Sequence, residues 1–229
     1  MKTIGLIGGI TWYSTLDYYR LLNELVNKRL GGVHAAKIIL NSVDFAVIKD
    51  FTEKEDWNAI AKIICNAARS VEAAGADCVL MAANTMHNIA HLLDGCMNIP
   101  LIHIADTVAT ALNKQNIKKT ALLGTKYTMQ MDFYKDKLAL YGIDTIIPNE
   151  AGISFINNSI YEEFGKGIFL PATKERYLGI ISDLIKEGAE AVIFGCTEIP
   201  ILLKDTDCGI PAFDSGHIHA TAAVDFALG

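Results

Sequence analysis

A thiol two residues from a carboxylate has a proton acceptor close at hand, and this chain places Cys196 and Glu198 in the stretch GAEAVIFGCTEIP, residues 188 to 200. The pair suits acid–base work, with the thiol exchanging a proton and the carboxylate taking or relaying it. The plainer reading of Glu198 is a charge at a helix N-terminus. An apolar run precedes Cys196 and a helical signal follows it. At such a strand end, facing a helix N-terminus, a thiol pKa is expected to fall from about 8.5 towards neutrality. An earlier stretch, GADCVLMAANTMH at residues 75 to 87, has the same design. Laid without gaps, Ala83 stands opposite Cys196, a methyl group where the second copy carries sulfur. Asn84 and Thr85 follow it, and His87 reads either as a cap-region side chain or as an acid–base helper.

The elements that would position these residues come in two sets. Short β-rich runs at 3 to 8, 37 to 43, 77 to 82, 100 to 104, 119 to 124, 143 to 147, 190 to 195 and 210 to 213 alternate with helical patterns, the signature of βαβ units on parallel sheets. KTIGLIG matches KKTALLG, KIILNSV matches IDTIIPN, GADCVLMA matches GAEAVIFG, and Ile99-Pro100 matches Ile210-Pro211. A repeat of this length means duplicated domains rather than a solenoid. The expected fold is α/β, with two similar domains of four parallel strands each, flanked by helices. The domains are expected at 1–104 and 105–215, with a C-terminal helix at about 216–229 that packs back on the first. Leu16, Tyr19, Leu22 and Val26 recur at helical spacing before the stop Gly31-Gly32, and 54 to 74, 128 to 141 and 172 to 187 also read as helices.

In open parallel sheets, ligands lie beyond the carboxyl ends of the strands. The residues to watch are therefore Gly8-Gly9-Ile10-Thr11, Ala83-Asn84-Thr85, Gly124-Thr125 and Cys196-Thr197-Glu198. Rich in Gly, Thr and Asn, with backbone N–H groups at the turns, they would suit a carboxylate. GLIGGI lacks the third glycine and the acidic residue of a dinucleotide fingerprint. His217 and His219, in the last strand-to-helix connection, read either as side chains that bond to backbone across the domain junction or as functional residues.

Composition narrows the partners. The net charge is −6 and there is no run of Lys or Arg, which argues against nucleic acid and acidic lipid. No apolar stretch reaches about 18 residues, and MKTIGLIGGITW is too brief for a signal sequence, so a soluble, cytoplasmic protein is expected. Five cysteines without C-x-x-C spacing argue against a disulfide framework and a zinc knuckle, and reduced thiols are expected. Cys65 and Cys78 look structural, while Cys96 and Cys208 fall in loops. Asn157-Asn158-Ser159 matches a glycosylation acceptor by chance. No motif requires a metal or an organic cofactor.

With both strand-end stretches in hand, the sequence resembles the aspartate/glutamate racemase family over essentially its whole length. GLIGGITWYST is similar to the family's opening, ANTMH and GAEAVIFGCTEIP to its two catalytic stretches, and FDSGHIHATAAVDFAL to its ending. The resemblance implies cofactor-independent racemisation of an acidic amino acid by two opposed bases, one from each of two domains related by pseudo-two-fold symmetry, in a cleft between them. It also implies a homodimer. Carried over by position, Cys196 is the second-half acid/base. Asn84, Thr85, Thr125 and Thr197 hold the substrate's carboxylate and amino group, and Ile10 and Thr11 line the pocket. Lys166 either meets the side-chain carboxylate or is an ordinary solvated lysine. Thr52 is expected in a loop that reaches the substrate. Where many members have Cys-Asn-Thr, this chain has Ala83-Asn84-Thr85. Either the position has been substituted, or water, Thr85 or His87 replaces the base, or the chemistry uses one base. A one-cysteine decarboxylase of the arylmalonate type and a non-catalytic binding protein are the competing readings.

Overall fold

The computed structural model covers Met1–Gly229. It divides into Met1–His103 with His219–Gly229, and Ile104–Ile218. No helix is long and apolar enough to cross a membrane.

The first unit holds β1 (Ile4–Gly8), α1 (Trp12–Leu30), β2 (Ile38–Ser42), α2 (Phe45–Glu53), α3 (Trp57–Ala73), β3 (Cys78–Met81) and a 3₁₀ helix (Thr85–Leu93). The strands are parallel in the order β2-β1-β3. Side chains alternate across a strand, which sorts the apolar run into two layers. Ile7, Val79 and Met81 pack with Ile48, Ile60 and Ile64 of α2 and α3. Ile4, Leu6, Cys78 and Leu80 pack with Tyr18, Leu22 and Val26 of α1 and with Ala220, Ala223 and Val224 from the C-terminal helix. The buried stripe of α1 thus runs through Tyr18, Leu22 and Val26, while Leu16 and Tyr19 are 57% and 53% exposed. Periodicity found the helix but chose a neighbouring face for its first turns.

The second unit holds α4 (Ile104–Lys114), β4 (Lys119–Gly124), α5 (Lys126–Gln130), α6 (Asp132–Leu140), β5 (Asp144–Ile146), α7 (Glu150–Glu162), α8 (Pro171–Lys186), β6 (Ala191–Gly195), α9 (Ile199–Leu202) and β7 (Ala212–Asp214). The boundary between units falls inside α10 (Ser215–Leu228). All four strands are parallel, in the order β5-β4-β6-β7. One face packs α7 and α8 on Leu123, Val192 and Phe194. The other packs α4 and α6 on Leu122 and Ile193.

The repeated Gly-Ala-acid has a structural cause in both units. Gly75 and Gly188, at φ 99° and 95°, end α3 and α8 in a backbone shape that favours glycine. The following alanines close the turn, Ala76 N–H donating to Val71 O and Ala189 N–H to Leu184 O. The acids then clamp the start of the neighbouring strand. Asp77 Oδ2 accepts the Thr3 N–H at 2.6 Å. Glu190 Oε2 accepts those of Lys118 and Lys119 at 2.7 and 3.3 Å.

The first sheet has three strands rather than four. The segment expected at 100–104 is reduced to a single parallel bridge, Val79 with Leu101. The next acceptor along it, the Ile102 carbonyl, receives the His219 Nε2–H at 2.7 Å. The helical patterns also break. The stretch 54 to 74 is the end of α2's turn followed by α3, and 128 to 141 is split at Met131 between α5 and α6.

Cys65 of α3 and Cys96, after the 3₁₀ helix, form a disulfide with Cα atoms 5.8 Å apart. The expectation of reduced thiols fails for this pair, because the fold, not sequence spacing, brings residues 31 apart into bonding distance. Closing such a loop is worth about 4 kcal/mol on a chain-entropy estimate. Unfolding by urea should therefore show a lower midpoint in reductant than without it, and alkylation of the unfolded, unreduced chain should label three cysteines. Five labelled cysteines and an unmoved midpoint would contradict the bond.

Candidate active site

In the first unit β1 and β3 end side by side, since Ile7 pairs with Met81 and the Ala82 N–H continues the ladder to Ile7 O at 2.9 Å. The chain after β1 must turn at once. Gly9, at φ 86°, leaves no room for a Cβ against the Val43 backbone. The turn is then pinned by hydroxyls. Thr15 Oγ1 accepts the Gly9 N–H at 2.8 Å and donates to Thr11 O at 3.0 Å, while Thr11 Oγ1 caps α1 by accepting from Ser14 N. Ile10 is buried and Thr11 half-buried, beside the turn that carries Ala83, Asn84 and Thr85 out of β3.

The second unit repeats the arrangement. Gly124 and Gly195 face each other at the ends of β4 and β6. A Cβ on Gly195 would sit 2.8 Å from the Leu123 carbonyl. The next residues, Thr125 and Cys196, therefore emerge from adjacent strand ends. Thr125 Oγ1 caps α5, accepting from Thr128 N at 3.3 Å and lying 3.2 Å from Thr128 Oγ1.

Cys196 is half-buried and its Sγ–H donates to Glu198 Oε2 at 2.9 Å. The same oxygen accepts the Thr197 hydroxyl at 2.9 Å. Burial raises the thiol pKa well above its ordinary value, and the Glu198 charge and hydrogen bond raise it further. This reverses the sequence expectation of a thiol near neutrality. The helix that follows, α9, has only four residues, while a carboxylate sits directly on the sulfur. A full negative charge at hydrogen-bond distance outweighs the partial positive charge of a single helical turn.

Other expected residues fall elsewhere. Thr52 lies in α2 rather than a loop, buried, with its hydroxyl donating to Ile48 O at 2.7 Å. The helix Phe45–Glu53 has nine residues and buries only Ile48 and Thr52, short enough to hide as a loop before α3. Lys166 is exposed and paired with Glu162 at 2.6 Å, one helical turn away, the geometry of a solvated lysine. His217 is exposed, and its N–H meets Asp214 Oδ1 at 3.1 Å.

His87 and His219 are both buried in the first unit, together with two residues that the sequence did not mark. His87 packs edge to face on His103 at 4.8 Å and on His219 at 5.3 Å between ring centroids. Tyr18 OH lies 2.8 Å from His219 Nδ1. The signal for His103 was slight, a histidine between isoleucines, and nothing local distinguishes Tyr18. No cluster of three or more His, Cys, Asp or Glu side chains is arranged to hold a metal.

Residues 7–223 match the model of the family described as Asp/Glu/Hydantoin racemase. The chain belongs to that family. Among solved structures, an aspartate racemase homologue from Pyrococcus horikoshii OT3 is 36% identical, with complete coverage of both chains and a TM-score of 0.89. A candidate Asp/Glu racemase from Yersinia pestis is 43% identical with the same coverage and a TM-score of 0.95. A broad specificity amino-acid racemase of Bacillus subtilis is 22% identical over 76% of this chain and 74% of its own. Within their own units, Ile10 and Thr11 lie just after β1, Asn84 and Thr85 after β3, Thr125 after β4, and Cys196 and Thr197 after β6, whereas Thr52 and Lys166 lie at no strand end.

Two outcomes follow from the electrostatics. Removing the Glu198 charge should lower the Cys196 pKa. Alkylation of that cysteine, followed by mass spectrometry, should shift its pH profile downward in Glu198→Gln, and a profile that stays put or moves up would contradict the pairing. Burial lowers His219 to about 4, and burial also holds His87 well below its ordinary value, with repulsion from His103 and His219 adding to the effect. Both histidines fold neutral, and the unfolded chain protonates them near pH 6.5. Their contribution is present above pH 6.5 and is lost as pH falls towards 4, His219 alone accounting for about 3 kcal/mol. Urea midpoints should fall between pH 6.5 and 5, where carboxylates remain ionised, and a flat profile there would be inconsistent with neutral buried rings.

Proposed function

We propose that this protein moves the α-proton of an acidic amino acid without a cofactor, using Cys196 as acid/base, Glu198 as its proton partner, and Ala83 at the position of the opposing base. The observation that carries the reading is the Cys196 thiol hydrogen-bonded to Glu198 at the end of β6, in a chain of the racemase family. The α-proton is very weakly acidic, so its removal must coincide with stabilisation of charge on the substrate carboxylate by oriented donors. Ile10, Thr11, Asn84, Thr85, Thr125 and Thr197 supply backbone amides and hydroxyls of that kind. Lys166 would meet a side-chain carboxylate only by releasing Glu162.

At rest the sulfur is protonated. Ordinary thiol and glutamate pKa values differ by about 4 units, so transfer to Glu198 costs roughly 6 kcal/mol before burial is counted. A substrate ammonium close to the sulfur lowers that cost, because an opposite charge favours the thiolate. Proton abstraction is thereby tied to binding.

Ala83 has no proton to exchange. Loss of a positioned acid–base group typically costs about 10² to 10⁴ in rate, so racemisation by the chain as it stands is slow while binding persists. Ala83→Cys should raise formation of the D-enantiomer from L-aspartate or L-glutamate by roughly 10² to 10⁴, measured by chiral chromatography. An unchanged rate in a folded variant would contradict the assignment of Ala83. The methyl at this position also favours a second reading, a one-cysteine decarboxylase, which release of CO₂ from a malonate with no action on amino acids would establish instead.

A further inference from the structure

The turn that carries Ala83, Asn84 and Thr85 is held by a side chain. His87 Nδ1 lies 3.0 Å from the Ala83 carbonyl oxygen. A carbonyl can only accept, so the ring carries its proton on Nδ1 and leaves Nε2 as a bare acceptor. That Nε2 is buried and has no hydrogen-bond partner. The other tautomer would be worse, with a buried N–H unmet and a lone pair aimed at the carbonyl. The ring thus leaves one atom unsatisfied while it fixes one carbonyl.

The packing around it is equally specific. His219 donates from Nε2 to Ile102 O at 2.7 Å, which puts its proton on Nε2 and makes its Nδ1 the acceptor for the Tyr18 hydroxyl at 2.8 Å. His219 is thereby locked from both sides, and with His103 it forms two edge-to-face walls around His87. The His87 N–H also closes on Asn84 O at 3.0 Å. One residue therefore grips two successive carbonyls of the turn, one through its ring and one through its backbone.

We propose that His87 is a positioning residue: its Nδ1–H holds the Ala83 carbonyl and its backbone N–H the Asn84 carbonyl, and so it aims the amides of Asn84 and Thr85, which share those peptide planes, with the Tyr18–His219 pair wedging the ring in place. The inference rests on the functional reading above only for what those amides bind. In the wild type, ¹⁵N chemical shifts of the ring should show a neutral Nδ1–H tautomer. His87→Asn, whose side-chain amide offers a donor near the Nδ1 position, should keep the Asn84 and Thr85 amide resonances in place and hold affinity for aspartate or glutamate within about twofold. His87→Phe, which fills the space without a donor, should shift both resonances and weaken binding by about fivefold to tenfold, the worth of one hydrogen bond. A proton on Nε2 in the wild type overturns the proposal, as does a folded His87→Phe with unmoved resonances and unchanged affinity. If His87→Phe does not fold, the wild-type tautomer and the His87→Asn comparison decide. If the wild type binds no acidic amino acid, the functional reading falls, while the tautomer and the two resonances still judge the role of His87.

Discussion

The hydrogen bond from the Cys196 thiol to Glu198 follows from a constraint set one residue earlier. β4 and β6 run parallel and end in register at Gly124 and Gly195; a Cβ would meet the facing strand's carbonyl too closely at Gly195 and fit only tightly at Gly124. The strands can therefore close to full ladder distance at their last residues, and what comes next must leave the sheet at once. Thr125 turns into α5 by capping it. Cys196 starts a tighter turn in which the Glu198 carboxylate folds back on the sulfur and also accepts the Thr197 hydroxyl. The same rule operates in the first unit, where Gly8 and Gly9 end β1, Thr11 and Thr15 pin the exit, and β3 delivers Ala83 beside it.

Two strand-end turns built on one plan nevertheless carry different chemistry. One ends in sulfur held by a carboxylate, the other in a methyl group whose carbonyl is held by a histidine. The first arrangement keeps a proton in place, because burial and the Glu198 charge both oppose ionisation. The second holds backbone donors still while offering no proton of its own.

Much of this was legible in the sequence, for identifiable reasons. Strands of the parallel sheets are buried on both faces, so Ile4–Gly8 and Ala191–Gly195 read as short apolar runs bounded by glycine. The duplication was visible because each half needs the same helix stop and strand clamp, Gly75-Ala76-Asp77 and Gly188-Ala189-Glu190. What escaped depended on contacts between distant segments. The Cys65–Cys96 bond, the His219 hydrogen bond to the Ile102 carbonyl, and the Tyr18–His219–His87 packing join residues with no local pattern in common. The raised thiol pKa is not legible because sequence shows that a helix follows Cys196 but neither that it lasts a single turn nor that the sulfur is shut from water against Glu198. Thr52 was misplaced because α2 is too short for its periodicity to declare itself.

The central claim is that the sulfur of Cys196 exchanges a proton with the α-carbon of an acidic amino acid. The direct measurement is deuterium incorporation at that carbon when L-aspartate or L-glutamate is incubated with the protein in D₂O, compared with Cys196→Ser. The account predicts incorporation by the unaltered chain and its loss in the serine variant, with binding retained. Incorporation that continues undiminished without the sulfur would contradict it.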